Sequence, residues 1–208
     1  MEREVIATGI GGQGIQLAAE VLARAATAEG REVLMFGSYG GMMRGGNTDA
    51  NLVFADAPIS APPVPPLTWA ALLMHHEHAA PVITKLRDDG VAFINTSVIN
   101  TSVIGGAVIG GAEEALAVGS ATAISVPATD LAVECGNIIT ASLVMVGALA
   151  RATGIVALDS LAVAVERSLP SYRRQHVALN QRALQAGFDC VPELSHPAWA
   201  QVAEAVRG

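Results

Sequence analysis

The chain has 208 residues, 51% of them apolar, and a formal net charge of −7; this is enough apolar material for one buried core, and no Lys/Arg-rich segment offsets the acidity, so no nucleic-acid partner is expected. Its two cysteines, Cys135 and Cys190, cannot build a four-cysteine iron–sulfur site or a disulfide ladder, so the expected setting is the reduced cytoplasm, with any redox centre on another chain. MEREV runs directly into a strand pattern without the basic and apolar regions of a signal peptide.

Val5 to Thr8 is a short apolar run ending in glycines. Ile15, Leu17, Ala18, Val21, Leu22 and Ala25 then recur at helical spacing, closed by Gly30. Glu32 to Phe36 predicts a second strand, and Asp49 to Phe54 a third. Between them Gly37 to Thr48 carries five glycines in twelve positions, too many to pack alone, so this loop is expected to lie against something else. Ala57 to Pro66, with five prolines, is an extended connector. Ala70 to Met74 predicts a buried strand, Ala79 to Arg87 a helix, and Val91 to Asn95 and Ala123 to Val126 two more strands.

After Pro127 only helical segments are expected: Thr129 to Ala152, broken near Gly136, then Asp159 to Ser168, then Ser171 to Gln185, with Gly187 as a C-terminal stop. Ile138 to Ala150 is the longest apolar run. It is short for a membrane span and holds Thr140, Ser142 and Gly147, so a buried helix is predicted and no membrane partner. The alternation of β and α elements predicts an open, mostly parallel Rossmann-like α/β sheet with flanking helices and a helical C-terminal segment. Residues 1–208 form one domain in this reading, the sheet over about 1–128 and the helices over about 129–208.

Gly9, Gly11 and Gly14 in TGIGGQGIQ match GxGxxG between a strand and a helix. Such a turn aims backbone N–H groups outward at the positive end of the helix dipole, where a phosphate can approach closely. The competing reading gives the glycines only a tight turn and close helix–sheet packing. An NAD site needs an acidic residue at the end of the second strand, but that strand ends Phe36, Gly37, Ser38, and Glu32 lies at its beginning. A nicotinamide dehydrogenase is disfavoured, and no Walker lysine follows the glycines. Ser38 and Arg44, flanked by Gly40, Gly41, Gly45 and Gly46, instead place a hydroxyl and a guanidinium on a loop expected at the same carboxyl rim.

Those two loops carry a family resemblance. GIGGQGIQLAAEVLARAA followed by SYGGMMRGGNTDANLVF resembles the gamma subunit, or gamma domain, of the 2-oxoacid:ferredoxin oxidoreductases, as do Val126 to Ala150 and His176 to Phe188. The resemblance implies a subunit of a thiamine diphosphate enzyme that oxidatively decarboxylates a 2-oxoacid with coenzyme A, electrons passing to ferredoxin or another acceptor. It implies coenzyme A at this chain, with thiamine diphosphate, magnesium and iron–sulfur clusters on partners: alpha and beta thiamine-binding subunits and an iron–sulfur subunit. Carried over, Gly11, Gly12, Gln13 and Gly14 would meet the coenzyme A phosphates through backbone amides, with Ser38, Arg44, Gly45 and Gly46 on the opposing loop. Met42 and Met43 replace the polar or acidic residues many members carry there. A stand-alone module that senses an anionic ligand through the same loops is the alternative.

His75, His76, Glu77 and His78 follow a strand directly. The cluster lacks the HExxH spacing of a zinc site and reads as a polar strand end or an interface edge. Cys135 reads as a buried thiol, and Asn137 as a helix N-cap. Tyr172, Arg173, Arg174 and His176 form the compact basic group, either a solvated face or a surface for an acidic partner. Asn95 to Ile104 repeats NTSVI in tandem, too short for a solenoid unit.

Overall fold

The computed structural model describes residues 1–39, 46–99, 103–104, 107–110, 114–117 and 119–199. The first unit is β1 (Glu2–Ile10), α1 (Ile15–Ala28) and β2 (Glu32–Tyr39), after which β3 (Asn47–Ala55) returns against β2. Next come β4 (Thr68–Leu73), α2 (His76–Ile83) and β5 (Leu86–Asn95). Three short strands, β6 (Val103–Ile104), β7 (Ala107–Gly110) and β8 (Glu114–Ala117), form a small sheet of their own. β9 (Thr122–Val126) completes the main sheet, in the order β2-β3-β1-β4-β5-β9.

The main sheet is mostly parallel, as expected: β1, β4, β5 and β9 run together, whereas β3 is antiparallel to both β1 and β2. The reason is local. A parallel pair needs a crossover of a dozen or more residues, whereas the link from Tyr39 to Asn47 is shorter and has no helix pattern, so β3 can only fold back as a hairpin arm.

The central strands are buried on both faces, which is why they read as continuous apolar runs. Val5, Leu72 and Phe93 face the larger core under α1 and the C-terminal helices, while Ile6, Leu73 and Ile94 face the smaller core under α2. α3 (Ala128–Cys135) ends on Gly136, whose φ of 110° lies in the left-handed region that favours glycine. A 3-10 turn (Ile138–Thr140) follows, capped by Asn137 Oδ1, which accepts from the Ile139 N–H at 3.0 Å, so the expected cap is present. α4 (Ala141–Thr153) is buried nearly all round between the sheet and its neighbours, which accounts for its apolar sequence. Among the described residues no helix is long and apolar enough to cross a membrane.

α5 (Leu158–Ser168) matches its predicted span closely. The next predicted helix divides into a 3-10 segment (Ser171–His176) and α6 (Val177–Asp189). Gly187 is therefore no terminator. It lies inside α6 where that helix crosses α4, with Gly147 on the other side of the crossing. α2 also begins earlier than predicted, at His76, because the His75 side chain accepts from the Glu77 N–H and starts the helix there. The first NTSVI copy ties off the start of α3. Asn95 Oδ1 accepts from the Thr129 N–H at 3.3 Å, and Ser97 Oγ accepts from the Asp130 N–H at 3.1 Å.

Glu4 is 5% exposed and its Oε1 is paired with Arg87, while Oε2 has no hydrogen-bond partner among the described residues. Removing the arginine would take away the buried carboxylate's ion-pair partner and leave Arg3 as the cation remaining nearby. Because Arg87 is itself partly exposed, we expect Arg87→Ala to cost less than a fully buried pair would, about 2 kcal/mol in chemical denaturation; a loss below the error of that measurement would show that water already solvates Glu4.

Candidate functional site

The glycine turn opens at the carboxyl end of β1. Gln13 folds back over it: its Oε1 accepts from the Ile10 N–H at 2.9 Å, its own N–H donates to Ile10 O at 3.2 Å, and its Nε2 reaches Met74 O at 3.5 Å. Gly9 is required beneath this side chain, since a Cβ there would lie 2.5 Å from Gln13 Oε1 and 3.0 Å from Met74 Cβ. Gln13 thus braces the turn between β1 and β4.

Two other glycines have backbone reasons. Gly12 and Gly14 have φ of 102° and 77°, where an L side chain is strained. A Cβ at Gly12 would meet open space, whereas one at Gly14 would lie 2.8 Å from Ser142 Oγ and 3.2 Å from Ile139 O. Gly14 therefore serves the turn and the close approach of α4 together. It is also the N-cap of α1, with no side chain capping the helix.

The second loop meets the first. Gly11 N–H donates to Gly46 O at 2.9 Å, and the register puts Ile10 opposite Asn47 and Tyr39 opposite Thr48. Gly11, Gly12, Gln13, Gly14 and Gly46 are thus gathered at one edge of the sheet. Arg44 and Gly45, with Gly40 to Met43, lie outside the described residues. Ser38 is at the same edge, paired with Asp49, but strand alternation turns its side chain to the face opposite Gly37, and Gly37 lies under Gln16 of α1.

Of the four turn amides, Gly11 and Gln13 donate within the protein, and no partner for those of Gly12 and Gly14 is found among the described residues. Both glycines line a cavity of about 250 Å³ with Gln16, Leu17 and Thr48. This is below the roughly 300–1,000 Å³ of a whole small-molecule pocket, so it suits one anionic group at a helix N-terminus better than an entire ligand. A second cavity of about 260 Å³ shares Leu17 with it and is lined by Asn137, Ile139, Arg173, His176 and Asn180. A wider groove of about 560 Å³ runs between α1 and α5, past Ala23, Thr27 and Val163, at the end of α1 away from the turn.

Sequence reasoning missed Gln16, which ties the start of α1 to β2 and β3. Its Nε2 donates to Asp49 O at 2.9 Å, and its side chain occupies the space that a Cβ on Gly37 would need. It also missed the carboxylate on the far face: Asp49 accepts from Thr8 Oγ1 at 2.6 Å and from Asn47 Nδ2 at 2.8 Å, so it is engaged inside the protein. Neither residue has a local sequence signal. Glu32 is opposite Ala55, as is Glu2 at the start of β1, at the other end of the sheet from the turn. No ribose-binding carboxylate can come from there.

His75 and His76 stack with ring centroids 4.3 Å apart at the carboxyl end of β4. Burial, and then the neighbouring His76, hold the His75 imidazole below its ordinary pKa. Both cysteines are free thiols.

Comparison with known proteins agrees with this architecture. The pyruvate ferredoxin/flavodoxin oxidoreductase family model matches residues 4–190. The chain is 30% identical over 197 residues to the 2-oxoglutarate synthase subunit KorC of Methanothermobacter marburgensis, covering 93% of this chain and 98% of that one. It is also 30% identical over 166 residues to the pyruvate/ketoisovalerate oxidoreductases common subunit gamma of Thermococcus kodakarensis, covering 77% and 83%. Among solved structures, the gamma subunit of keto/oxoacid ferredoxin oxidoreductase from Geobacter sulfurreducens PCA superposes with a TM-score of 0.73 at 25% identity, covering 91% of this chain and 95% of that one.

Proposed function

This chain belongs to the pyruvate ferredoxin/flavodoxin oxidoreductase family, as a gamma subunit of a 2-oxoacid:ferredoxin oxidoreductase complex, and from that premise we propose that its glycine turn binds the phosphate end of coenzyme A. The observation that carries the reading is the hydrogen bond from Gly11 N–H to Gly46 O, which brings two side-chain-poor loops to one edge. There the amides of Gly12 and Gly14 and the uncapped start of α1 meet a small cavity. An anion in that position gains from the helix dipole and from N–H groups without a partner among the described residues.

In the proposed reaction a 2-oxoacid loses CO2, its electron pair leaves for ferredoxin or another acceptor, and the coenzyme A thiol takes the acyl group. Thiamine diphosphate with magnesium supplies the carbanion stabilisation and iron–sulfur clusters the electron path, all held by alpha, beta and iron–sulfur partner subunits. This chain's part is to hold the thiol carrier by its charged end so that the thiol reaches a partner's active site. Arg44 and Gly45, on the loop that Gly46 closes, supply charge and close approach in this reading. Ser38 lies at the same edge, but its side chain is on the sheet's other face, so in this reading it gives no hydroxyl to the phosphate. We place the complex in the cytoplasm, where free thiols persist.

Untagged native purification tests this assignment. The expected product is a brown complex containing this chain and larger partners, active with a 2-oxoacid only when coenzyme A is present. A colourless homo-oligomer of this chain alone would instead support a free-standing anion sensor.

A further inference from the structure

We propose that His75, His76 and Glu77 form a binding site for a divalent transition-metal ion of the zinc class, at the junction of β4 and α2. One ligand atom from each of the three residues lies within 4.8 Å of the other two. Consecutive residues do not ordinarily converge, because they alternate faces in a strand and diverge by about 100° in a helix. Here they converge because the chain changes state between them: His75 is extended, with φ −147° and ψ 140°, and the helix starts at His76. The residue before them is anchored as well, since Met74 O accepts from Asn95 Nδ2 at 3.4 Å and from Gln13 Nε2 at 3.5 Å.

The donor set is right for the ion. Two imidazole nitrogens and a carboxylate oxygen are the ligands of open, three-ligand zinc sites, with a fourth position left for water or an anion. A tetrahedral site with metal–nitrogen distances of about 2.1 Å needs its ligand atoms about 3.4 Å apart. Contracting from 4.8 Å requires the two imidazoles to turn out of their 4.3 Å stack so that their lone pairs converge; His75 and His76 are only half-buried and Glu77 is exposed, which leaves room for that rotation. Competing bonds are few. Among the described residues the one hydrogen bond to either imidazole is a long 3.4 Å contact from the Glu77 N–H to His75 Nδ1, and the Glu77 carboxylate is in no salt bridge. His78 stands apart, with its Nε2 buried and without a hydrogen-bond partner among the described residues.

The HExxH spacing sought in the sequence presents histidines from successive turns of one helix. A strand-to-helix junction reaches the same end with adjacent residues, so the spacing rule passed over it. The site does not depend on what the glycine turn binds.

The test is a titration of the purified, EDTA-treated full chain with zinc chloride in competition with a chromogenic chelator, with histidine ring resonances followed in parallel. One zinc per chain is expected, shifting the ring signals of His75 and His76 and leaving that of His176 in place. His76→Ala and Glu77→Gln should each weaken binding about ten-fold or more, since losing a ligand costs at least as much as losing a group that orients one. His75→Asn keeps a capping side chain while removing the imidazole, and should weaken it likewise. Absence of saturable binding, shifts confined to other histidines, or unchanged affinity in the folded triple variant H75N/H76A/E77Q would each overturn the site. The ring resonances of the unmodified chain decide the matter even if a variant fails to fold.

Discussion

Gly187→Ala is expected to destabilise the protein by about 3 kcal/mol or more, at the upper end of what overpacking costs. By helix propensity alone the change should help, since alanine in a helix interior is better than glycine by roughly 1 kcal/mol. Packing decides the opposite sign. A Cβ on Gly187 would fall inside contact distance of the Val144 carbonyl oxygen, and one on Gly147 would do the same to the Leu184 carbonyl oxygen. The obstruction is backbone on both sides, so no rotamer change relieves it and the two helices must separate. Those helices belong to the larger core, with Val144, Leu149 and Leu184 fully buried, so separation loosens packing well beyond the crossing. For a chain of this length the loss corresponds to a fall in Tm of about 6–12 °C. Gln185→Ala, on the exposed side of α6, should change stability by no more than about 0.5 kcal/mol. If Gly187→Ala melts with the unmodified protein, the close crossing of α4 and α6 is wrong.

The second large effect concerns the proposed ligand. In the assembled complex, Arg44→Ala is expected to raise the KM for coenzyme A with kcat little changed and the fold intact. One charged, hydrogen-bonded contact is worth about 1.5–3 kcal/mol, which is about a ten- to hundred-fold rise in KM. Arg44→Lys should fall between the two, because it keeps the charge and loses the planar fork that matches phosphate oxygens. Equal KM values for the variant and the unmodified complex would remove Arg44 from the site.

Periodic features of the chain were legible without coordinates, for a physical reason. The apolar spacing of α1 and the unbroken runs of β4 and β5 record which faces are buried, and burial is what folds them. The direction of β3 is a pairing property, and only the length of the link before it bears on it. Gly187 shows the limit of local reading: a glycine after a helix and a glycine inside a helix crossing leave the same mark in sequence, and only the presence of Val144 separates them. The site divides in the same way. The glycine turn declares itself by its spacing, and the register puts the strand ends that carry both loops at one edge. Gln16, which braces that edge through Asp49 and Gly37, looks like any polar residue in a first helical turn. The His75–Glu77 cluster was visible as composition but not as geometry, because its convergence depends on where the strand stops.

A structure of the complex with coenzyme A bound is the most direct examination of the proposed site. The prediction is a phosphate oxygen within about 3 Å of the Gly12 and Gly14 nitrogens, the ordinary reach of an N–H···O bond, with the Arg44 guanidinium against the same phosphate group. Coenzyme A seated wholly on another subunit, with the α1 terminus facing water, would contradict it.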